Sequence, residues 1–230
     1  GYSRELYNTQ IEKVKRHIRK GNSFLTNLTC ETPIYLDKSL EEVYFTAQAK
    51  YKLWYKNEFV VFSPETFVNI KNGKIAAYPM KGTIDANIPN ARKIILQNPK
   101  EKAEHYTIVD LIRNDLSMVA EEVKVTKFRY IDELTTDRGK LLQVSSEIKG
   151  KLPMNYSSHI GDILFKLLPA GSVSGAPKNK TVEIICETET YNRGYYTGIF
   201  GVFDGRNFES AVMIRFIEKK AEGFVYKSGG

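Results

Sequence analysis

A lysine just after a proline-containing turn is the side chain of this sequence best placed to do covalent chemistry. Lys81 stands in Tyr78-Pro79-Met80-Lys81-Gly82-Thr83, sixteen positions after Glu65. A partly buried lysine loses its charge readily and can act as a nucleophile or a base. Gly82 would let the backbone approach a ligand closely, with the Thr83 hydroxyl beside it. The alternative for Lys81 is a solvated lysine in a polar turn.

A predicted β-hairpin lies between Glu65 and Lys81. Residues 67–70 and 74–77 are β-prone, and Asn72-Gly73 between them accepts the positive φ angles of a tight turn. Because a hairpin brings its ends together, we expect Glu65 and Lys81 to lie close in space. The alternative for Glu65 is a turn residue that follows a proline.

Two carboxylates with helical spacing form a candidate metal site. Residues 100–119 are predicted to be a helix, and Glu101 and Glu104 lie three positions apart on one face of it. Two converging carboxylates suit a hard cation such as Mg²⁺, which takes oxygen ligands and keeps several waters. A solvated acidic face is the alternative.

Two further segments could bind an anion. Arg215 alternates with apolar residues in a predicted strand over 207–217, and an inward arginine on a strand needs an anionic partner or a structural ion pair. Residues 169–178 carry two glycines and two hydroxyl groups before a predicted helix over 178–189, so they could offer free amides and hydroxyls. A plain loop would have the same composition.

These candidate residues require an α+β framework. Helices are predicted over 4–20, 39–49, 90–97, 100–119, 157–168 and 178–189. Strands are predicted over 23–29, 50–63, 67–77, 122–130, 141–149, 198–217 and 224–230, and residues 132–140 form a polar connection. Long strands in hairpins favour two stacked antiparallel β-sheets flanked by helices. No linker or repeat interrupts the chain, so residues 1–230 are interpreted as one domain.

The composition excludes several classes of function. The sequence has 230 residues, 42% hydrophobic content and no run of eighteen apolar residues, so we expect no membrane span. A net charge of +7 fits an anionic substrate, and the absence of a clustered basic face argues against nucleic acid. The polar start does not resemble a signal peptide. Two cysteines predict a reducing, cytoplasmic location.

Several motifs in order resemble one enzyme family. They are SPETF, PMKGT, EKAEHYTIVDLIRNDL, PAGSVSGAPK, RGYYTG and AVMIRF. Together they resemble the chorismate-utilising enzymes, which include anthranilate, aminodeoxychorismate, isochorismate and salicylate synthases. The resemblance runs from about Tyr7 to Gly230. It implies a pair of stacked sheets with the active site between them. It also implies that the family's N-terminal segment and its C-terminal metal-binding helix lie outside this sequence.

The resemblance assigns roles to the candidate residues. Glu65 matches the acid that protonates the departing C4 hydroxyl of chorismate, a suitable role because hydroxide leaves poorly. Glu104 matches a direct Mg²⁺ ligand and Glu101 a water-mediated one, with the ion holding the C1 carboxylate. Arg215 matches the residue that holds the enolpyruvyl carboxylate.

Four further positions match substrate contacts. Ser172 stands where the family has a threonine, Tyr196 matches a substrate-contacting tyrosine, and Gly229 belongs to a glycine-rich segment whose amides bind a carboxylate. Gln143 replaces a histidine near the substrate. An amide can still donate a hydrogen bond there, but it cannot carry a proton.

Two positions indicate the subtype. Isochorismate and salicylate synthases have a water-activating lysine where this chain has Leu25, so hydroxylation by water is disfavoured. Lys81 stands where similar anthranilate synthases have alanine and aminodeoxychorismate synthases very often have lysine. The sequence therefore resembles aminodeoxychorismate synthase component I most, with ammonia supplied by a glutamine amidotransferase. Anthranilate synthase component I and a non-catalytic anion-binding domain are the alternatives.

Overall fold

The computed structural model describes residues 3–136 and 139–230. The α-helices of these residues are α1 (Arg4–Arg19), α2 (Leu40–Thr46), α3 (Ala91–Gln97), α4 (Pro99–Ser117), α5 (Ile160–Leu167) and α6 (Lys178–Thr188). The strands are β1 (Leu25–Thr26), β2 (Thr29–Ile34), β3 (Tyr51–Tyr55), β4 (Phe59–Ser63), β5 (Thr66–Lys71), β6 (Lys74–Ala77), β7 (Met80–Asp85), β8 (Glu121–Thr136), β9 (Gly139–Lys151), β10 (Gly175–Ala176), β11 (Ile199–Phe203), β12 (Phe208–Val212), β13 (Phe216–Lys220) and β14 (Gly223–Gly229).

The described chain divides into two compact units. The first comprises residues 1–67, 169–202 and 209–230, and the second comprises residues 68–168 and 203–208. The chain passes from the first unit to the second within β5. The assignment of residues 1–230 to a single domain stays a prediction.

A five-stranded antiparallel sheet forms the centre of the first unit. Its strand order is β2-β14-β13-β4-β3. One face buries a cluster of Phe59, Val61, Tyr196, Met213 and Phe216. Burial of apolar surface at about 25 cal/mol per Å² is the main force that holds such a layer.

Helices α1 and α6 pack against each other in the first unit. Val14 of α1 and Ile184 of α6 are buried together with Leu28, which follows β1. Ser3 caps α1 by accepting a hydrogen bond from the Leu6 amide, and α2 begins with the predicted Ser39–Glu42 capping box. The capping box of α2 was predicted from the sequence, whereas the Ser3 cap of α1 was not.

The only tryptophan of the sequence lies in the first unit. Trp54 of β3 packs against Tyr44 and Phe45, whose ring centroids are 6.1 and 6.3 Å from its own. Its indole Nε1 is buried without a hydrogen-bond partner among the residues that the structure describes. The two cysteines, Cys30 and Cys186, are free thiols.

Strand β9 is the central strand of the sheet of the second unit and pairs with three other strands. β8 pairs along one edge of β9, while β6 and β7 both pair antiparallel with the other, at Ile148–Lys151 and Leu141–Ser145 respectively. The hairpin of β5 and β6 places Ile70 opposite Ile75 and turns at Asn72 and Gly73, both with positive φ. This hairpin is the one that the sequence predicts.

Helices α3 and α4 cover the sheet of the second unit and contact β7 and β9. Asn98 caps α4 by accepting a hydrogen bond from the Glu101 amide, and Pro99 occupies the first turn. His105, Ile108, Val109 and Leu116 are the buried residues of α4. The polar residues at its start therefore lie outside the core.

The predicted fold class is confirmed: the protein is α+β, with antiparallel sheets and flanking helices. Four details of the prediction are wrong. The helix predicted over 39–49 ends at Thr46. Residues 23–29 form only the two-residue β1 and the first residue of β2. The described part of the polar stretch 132–140 continues β8 and β9 instead of forming a loop, and its residues 137 and 138 lie outside the described residues. β12 ends at Val212, so Arg215 is not on a strand.

No helix in the described ranges combines the length and apolar character needed to cross a membrane.

Candidate active site

A β-bulge places Lys81 in the second unit. Met80 pairs with Ser145 and Thr83 pairs with Gln143, so the register between β7 and β9 shifts across Lys81 and Gly82. Gly82 has a φ of 88°, which the bulge requires and which glycine adopts without a steric cost. Bulges of this kind re-aim a side chain out of a regular ladder and are common beside active sites.

Lys81 forms an ion pair with the predicted metal ligand. Its Nζ lies 3.1 Å from Oε2 of Glu104, and the two side chains are 41% and 30% exposed. Lys100 approaches the other oxygen of Glu104 at 3.8 Å, but its side chain is 80% exposed. An exposed ion pair adds little to stability, so the half-buried Lys81–Glu104 pair is the one that fixes a geometry.

The second predicted metal ligand adjoins Gly82. A Cβ at Gly82 would lie 3.0 Å from Oε2 of Glu101, so any other residue would crowd this carboxylate. The two glutamates are carried by one helix, and Lys81 and Gly82 contact them from one bulge. The structure thus brings four predicted residues together: Lys81, Gly82, Glu101 and Glu104.

These two carboxylates fit the chemistry of Mg²⁺, which proteins bind through one or two carboxylates with waters and substrate completing the shell. Glycine at position 82 leaves the Glu101 oxygen uncrowded, which also suits a ligand role. Among the residues that the structure describes, no group of three or more His, Cys, Asp or Glu side chains could hold a metal ion. Glu101 and Glu104 would therefore supply only part of a coordination shell.

Thr83 and Gln143 are cross-strand neighbours beside this cluster. They pair directly between β7 and β9, with Thr83 exposed and Gln143 half-buried. Gln143 therefore stands two residues before Ser145, the partner of Met80. The sequence placed both near a substrate, and the structure places both near Lys81.

A buried hydrogen bond fixes α4 against β9. His105 has no exposed surface, and its Nε2 lies 2.7 Å from Oγ of Ser146. Burial, and secondarily the Arg129 charge, lower the pKa of His105 to about 4, so the ring is neutral near pH 7. This contact was not predicted, because the two residues are forty-one positions apart.

Five predicted residues of the first unit line one cavity. Its volume is about 180 Å³. The lining residues are Asn27, Glu65, Ser172, Val173, Tyr196, Ile214, Arg215, Tyr226, Lys227, Ser228 and Gly229. The sequence predicted Glu65, Ser172, Tyr196, Arg215 and Gly229 as site residues, and they come from five separate stretches of chain. Their convergence in one cavity is the main structural support for the site.

Arg215 lines this cavity from the connection between two strands, and not from a strand as predicted. It is exposed and lies between β12 and β13 in the left-handed region, with a φ of 57°. A non-glycine residue there costs of order 1 kcal/mol and is often found at functional sites. No carboxylate of the described residues pairs with it, so the prediction of an inward strand arginine is wrong, while its guanidinium is available for an anion.

A second strained residue adjoins the cavity. Thr197 has a φ of 67°, which is an outlier for a β-branched residue. Its amide donates to the Met213 carbonyl at 2.9 Å, while the Met213 amide donates to the Gly198 carbonyl at 2.8 Å. These bonds hold Tyr196, which is 4% exposed and whose pKa is raised by burial.

The surroundings of Glu65 favour the acid form of its carboxyl. Burial raises the pKa of its carboxyl, and a hydrogen bond from Ser172 opposes this shift. A sheltered carboxyl with a raised pKa keeps its proton at higher pH and can donate it. Because Glu65 belongs to the first unit and Lys81 to the second, the proximity of these two residues stays a prediction.

Gly229 is required by close packing. A Cβ at this position would lie 2.6 Å from Cγ2 of Thr29 and 2.8 Å from Oδ1 of Asn27. Gly229 pairs with Thr29 across β14 and β2. The glycine therefore allows the backbone of β14 to line the cavity.

Sequence reasoning missed Lys227 as a cavity residue. It is 1% exposed, and its Nζ lies 2.7 Å from Oε2 of Glu218 and 2.9 Å from the Arg193 carbonyl. The alternation of Val225, Lys227 and Gly229 on β14 was the available signal, since a lysine in register with a buried valine must find partners.

The comparisons with known proteins identify the family. A family model described as chorismate binding enzyme matches residues 2–230. The chain therefore belongs to the family of chorismate binding enzymes. A Haemophilus influenzae relative named "Uncharacterized PabA-like protein" is 57% identical over 224 residues, which cover 97% of this chain and 68% of the relative.

More distant relatives carry the names of particular enzymes. Aminodeoxychorismate synthase component 1 of Bacillus subtilis is 31% identical over 216 residues, covering 88% of this chain and 45% of that protein. The crystal structure of anthranilate synthase component I from Streptococcus pneumoniae matches with a TM-score of 0.80 at 26% identity, covering 99% of this chain and 52% of that one. The chain thus spans about half the length of each of these two proteins.

Proposed function

We propose that this protein is an aminodeoxychorismate synthase component I. It would convert chorismate and ammonia into 4-amino-4-deoxychorismate and water. The observation that carries the proposal is the position of Lys81, which a bulge directs to a cluster of two carboxylates. The resemblance implies that anthranilate synthases have alanine at this position, with no amine to offer.

Lys81 would be the nucleophile. Its amine attacks C2 of chorismate, both ring double bonds shift, and the protonated C4 hydroxyl leaves as water. Ammonia then enters at C4, both double bonds shift back, and the lysine amine is released. Covalent catalysis of this kind replaces one difficult displacement by two easier ones. The amine must be neutral when it attacks, so the proton held in its ion pair with Glu104 has to leave first.

Glu65 would protonate the departing hydroxyl. The raised pKa of its carboxyl supports this role, because the acid form persists towards neutral pH. The hydrogen bond from Ser172 orients the carboxyl. After the hydroxyl leaves as water, ammonia that attacks C4 must lose a proton, and the carboxylate of Glu65 can accept it.

The remaining cavity residues would bind the substrate. The guanidinium of Arg215, which pairs with no carboxylate of the described residues, suits the enolpyruvyl carboxylate, which it can hold by two parallel hydrogen bonds. Tyr196 and the Gly229 amide would contact the same part of the substrate. Mg²⁺, when bound through Glu104 and a water on Glu101, would hold the ring carboxylate. Thr83 and Gln143 would donate hydrogen bonds near it.

The proposed partner is a glutamine amidotransferase that supplies ammonia, and the proposed setting is cytoplasmic folate biosynthesis. The resemblance to aminodeoxychorismate synthases supports both. The two free thiols suit a reducing compartment such as the cytoplasm. Anthranilate synthase component I is the second candidate. The TM-score of 0.80 to the Streptococcus pneumoniae enzyme favours it, and Lys81 argues against it.

The test is to identify the product. The full-length protein is incubated with chorismate, Mg²⁺ and ammonium. The products are separated by chromatography and identified by mass spectrometry. Aminodeoxychorismate from the wild type, with loss of activity or diversion to anthranilate in Lys81→Ala, is the expected result. Lys100→Ala is the matched control, because Lys100 also pairs with Glu104 but is exposed. Anthranilate from the wild type would assign the second candidate, and bound chorismate without turnover would indicate a non-catalytic domain.

A further inference from the structure

A buried ion pair adjoins the cavity of the first unit. Arg193 and Glu189 are 16% and 3% exposed and are joined by two hydrogen bonds, at 2.8 Å from Nε and 2.6 Å from Nη2. The paired contact suits the planar fork of arginine and cannot be reproduced by lysine. Arg193 is not among the described residues that line the cavity.

This pair binds three separate segments that do line the cavity. Nη1 of Arg193 donates to the Val173 carbonyl at 2.8 Å, and Nη2 donates to the Asn27 carbonyl at 2.9 Å. The backbone carbonyl of Arg193 accepts a hydrogen bond from Nζ of Lys227 at 2.9 Å. Val173, Asn27 and Lys227 come from the loop after α5, from the β1–β2 connection and from β14.

The carboxylate partner extends the same network. Oε1 of Glu189 accepts hydrogen bonds from both the amide and the hydroxyl of Thr29, each at 2.8 Å. Thr29 pairs with Gly229, whose backbone forms part of the cavity wall. Glu189 therefore fixes the strand opposite Gly229, while Arg193 fixes the neighbours of Ser172.

We propose that Arg193, held by Glu189, is the positioning residue of the substrate cavity. It sets the distances between the Ser172 loop, the Asn27 connection and β14, and it does so without touching the occupant. This inference rests on the proposed function in one respect only, which is that chorismate occupies the cavity. Misplacement of binding groups by about 1 Å can cost on the order of 100-fold in rate.

The first test needs no ligand. Amide hydrogen exchange is measured on the full-length wild type, Arg193→Lys and Glu189→Gln. Two amides report on the segments that Arg193 and Glu189 hold together. The Asn27 amide donates to the Ser174 carbonyl at 2.9 Å, and the Leu28 amide donates to the Gly230 carbonyl at 3.1 Å. We expect exchange at both to be about tenfold faster in each variant. The amides of the β3–β4 pair should be unchanged.

The second test measures chorismate affinity by calorimetry on the same proteins. We expect about tenfold weaker binding for each single variant. The Arg193→Lys/Glu189→Gln double variant should be no weaker than either, because both act through one pair. Arg92→Lys is the control, since Arg92 also pairs with a glutamate, Glu133, but at an exposed site.

The possible outcomes distinguish a failure of the inference about Arg193 from a failure of the proposed function. Unchanged exchange at Asn27 and Leu28 in a folded Arg193→Lys protein would overturn the inference, as would independent, additive losses of affinity. If Arg193→Lys does not fold, Glu189→Gln, which keeps the shape of the side chain, decides in its place. If the wild type binds no chorismate, the proposed function fails. The exchange data alone then decide whether Arg193 positions the segments that line the cavity.

Discussion

The Nζ of Lys81 lies 3.1 Å from Oε2 of Glu104, so one ion pair joins the proposed nucleophile to the proposed metal ligand. A cation on Glu104 would compete with the Lys81 ammonium for the same carboxylate. The charge of Glu104 therefore affects both the metal and the amine, and substitutions of these two residues should not be independent.

Loss of the Glu104 charge should weaken the response to Mg²⁺. In Glu104→Gln we expect the Mg²⁺ concentration for half-maximal product formation to rise by about 10- to 100-fold, because a neutral amide oxygen is a poorer ligand for a hard cation. The measurement is a Mg²⁺ titration of product formation after treatment with a chelator. Glu133→Gln serves as the control, since Glu133 is an exposed partner of Arg92. Equal Mg²⁺ dependence in both variants would contradict the assignment of Glu104.

The activity should fall as pH rises, because Glu65 must be protonated to act as an acid. Burial raises the pKa of Glu65 above its ordinary value of 4.5, so the folded state binds this proton more tightly than the unfolded chain does. The contribution of this shift to the free energy of unfolding is complete below pH 4.5 and is lost as the pH rises through the raised pKa.

The variant Glu65→Gln tests the role of this acid in catalysis. It should lower kcat by about 10²- to 10⁴-fold and remove the fall of kcat at high pH.

The control for this prediction is Glu58→Gln, at an exposed turn between β3 and β4. Its pH profile of kcat should match that of the wild type. If Glu65→Gln kept the wild-type profile, another group would have to donate the proton.

His105 should make stability decline in mild acid. Burial lowers its pKa from 6.5 to about 4, so the folded state favours the neutral ring. The stability from this shift is complete above pH 6.5 and is lost as the pH falls through about 4. His105→Gln can keep a hydrogen bond to Ser146 but does not titrate, so its stability should decline less over this range.

Urea unfolding at several pH values measures this difference. His159→Gln provides the matched control, because His159 is exposed. The two variants should diverge between pH 6.5 and about 4. Parallel curves would show that His105 titrates alike in the folded and unfolded protein.

Gly229→Ala should destabilise the first unit and weaken binding. The added Cβ would lie 2.6 Å from Cγ2 of Thr29, so the strands must separate, at a cost of about 1–3 kcal/mol. Gly161→Ala is the opposite case, because nothing lies within 4 Å of its added Cβ and it sits in α5. We expect Gly161→Ala to stabilise by about 0.5–1 kcal/mol. Thermal unfolding of both variants checks the contrast.

The sequence predicted best where structure is set locally. The β5–β6 hairpin follows from Asn72-Gly73 between two β-prone runs, and α2 follows from its capping box. Both β8 and β9 were predicted, but their extension through residues 132–136 and 139–140 was missed, because polar residues such as Asp132 give no signal of hydrophobic alternation. Pairing over the whole of β9 outweighs the low strand propensity of these residues.

In the candidate site, too, residues in local motifs could be predicted, whereas residues whose roles depend on long-range contacts could not. Motif residues such as Ser172 and Tyr196, predicted as substrate contacts, line the cavity of the first unit. Lys227 and the Arg193–Glu189 pair were missed because their roles come from contacts between distant segments. Arg215 was assigned to a strand by its alternation with Val212, Ile214 and Phe216. That pattern does not distinguish a strand from a strained turn between two strands.

The single indole of Trp54 has a practical consequence for spectroscopy. Because the whole sequence has one tryptophan and it lies in the first unit, intrinsic fluorescence excited near 295 nm reports on that unit alone. Far-ultraviolet circular dichroism reports on both units. Coincident denaturation curves from the two signals would show that the units melt together, and displaced curves would give each its own melting point.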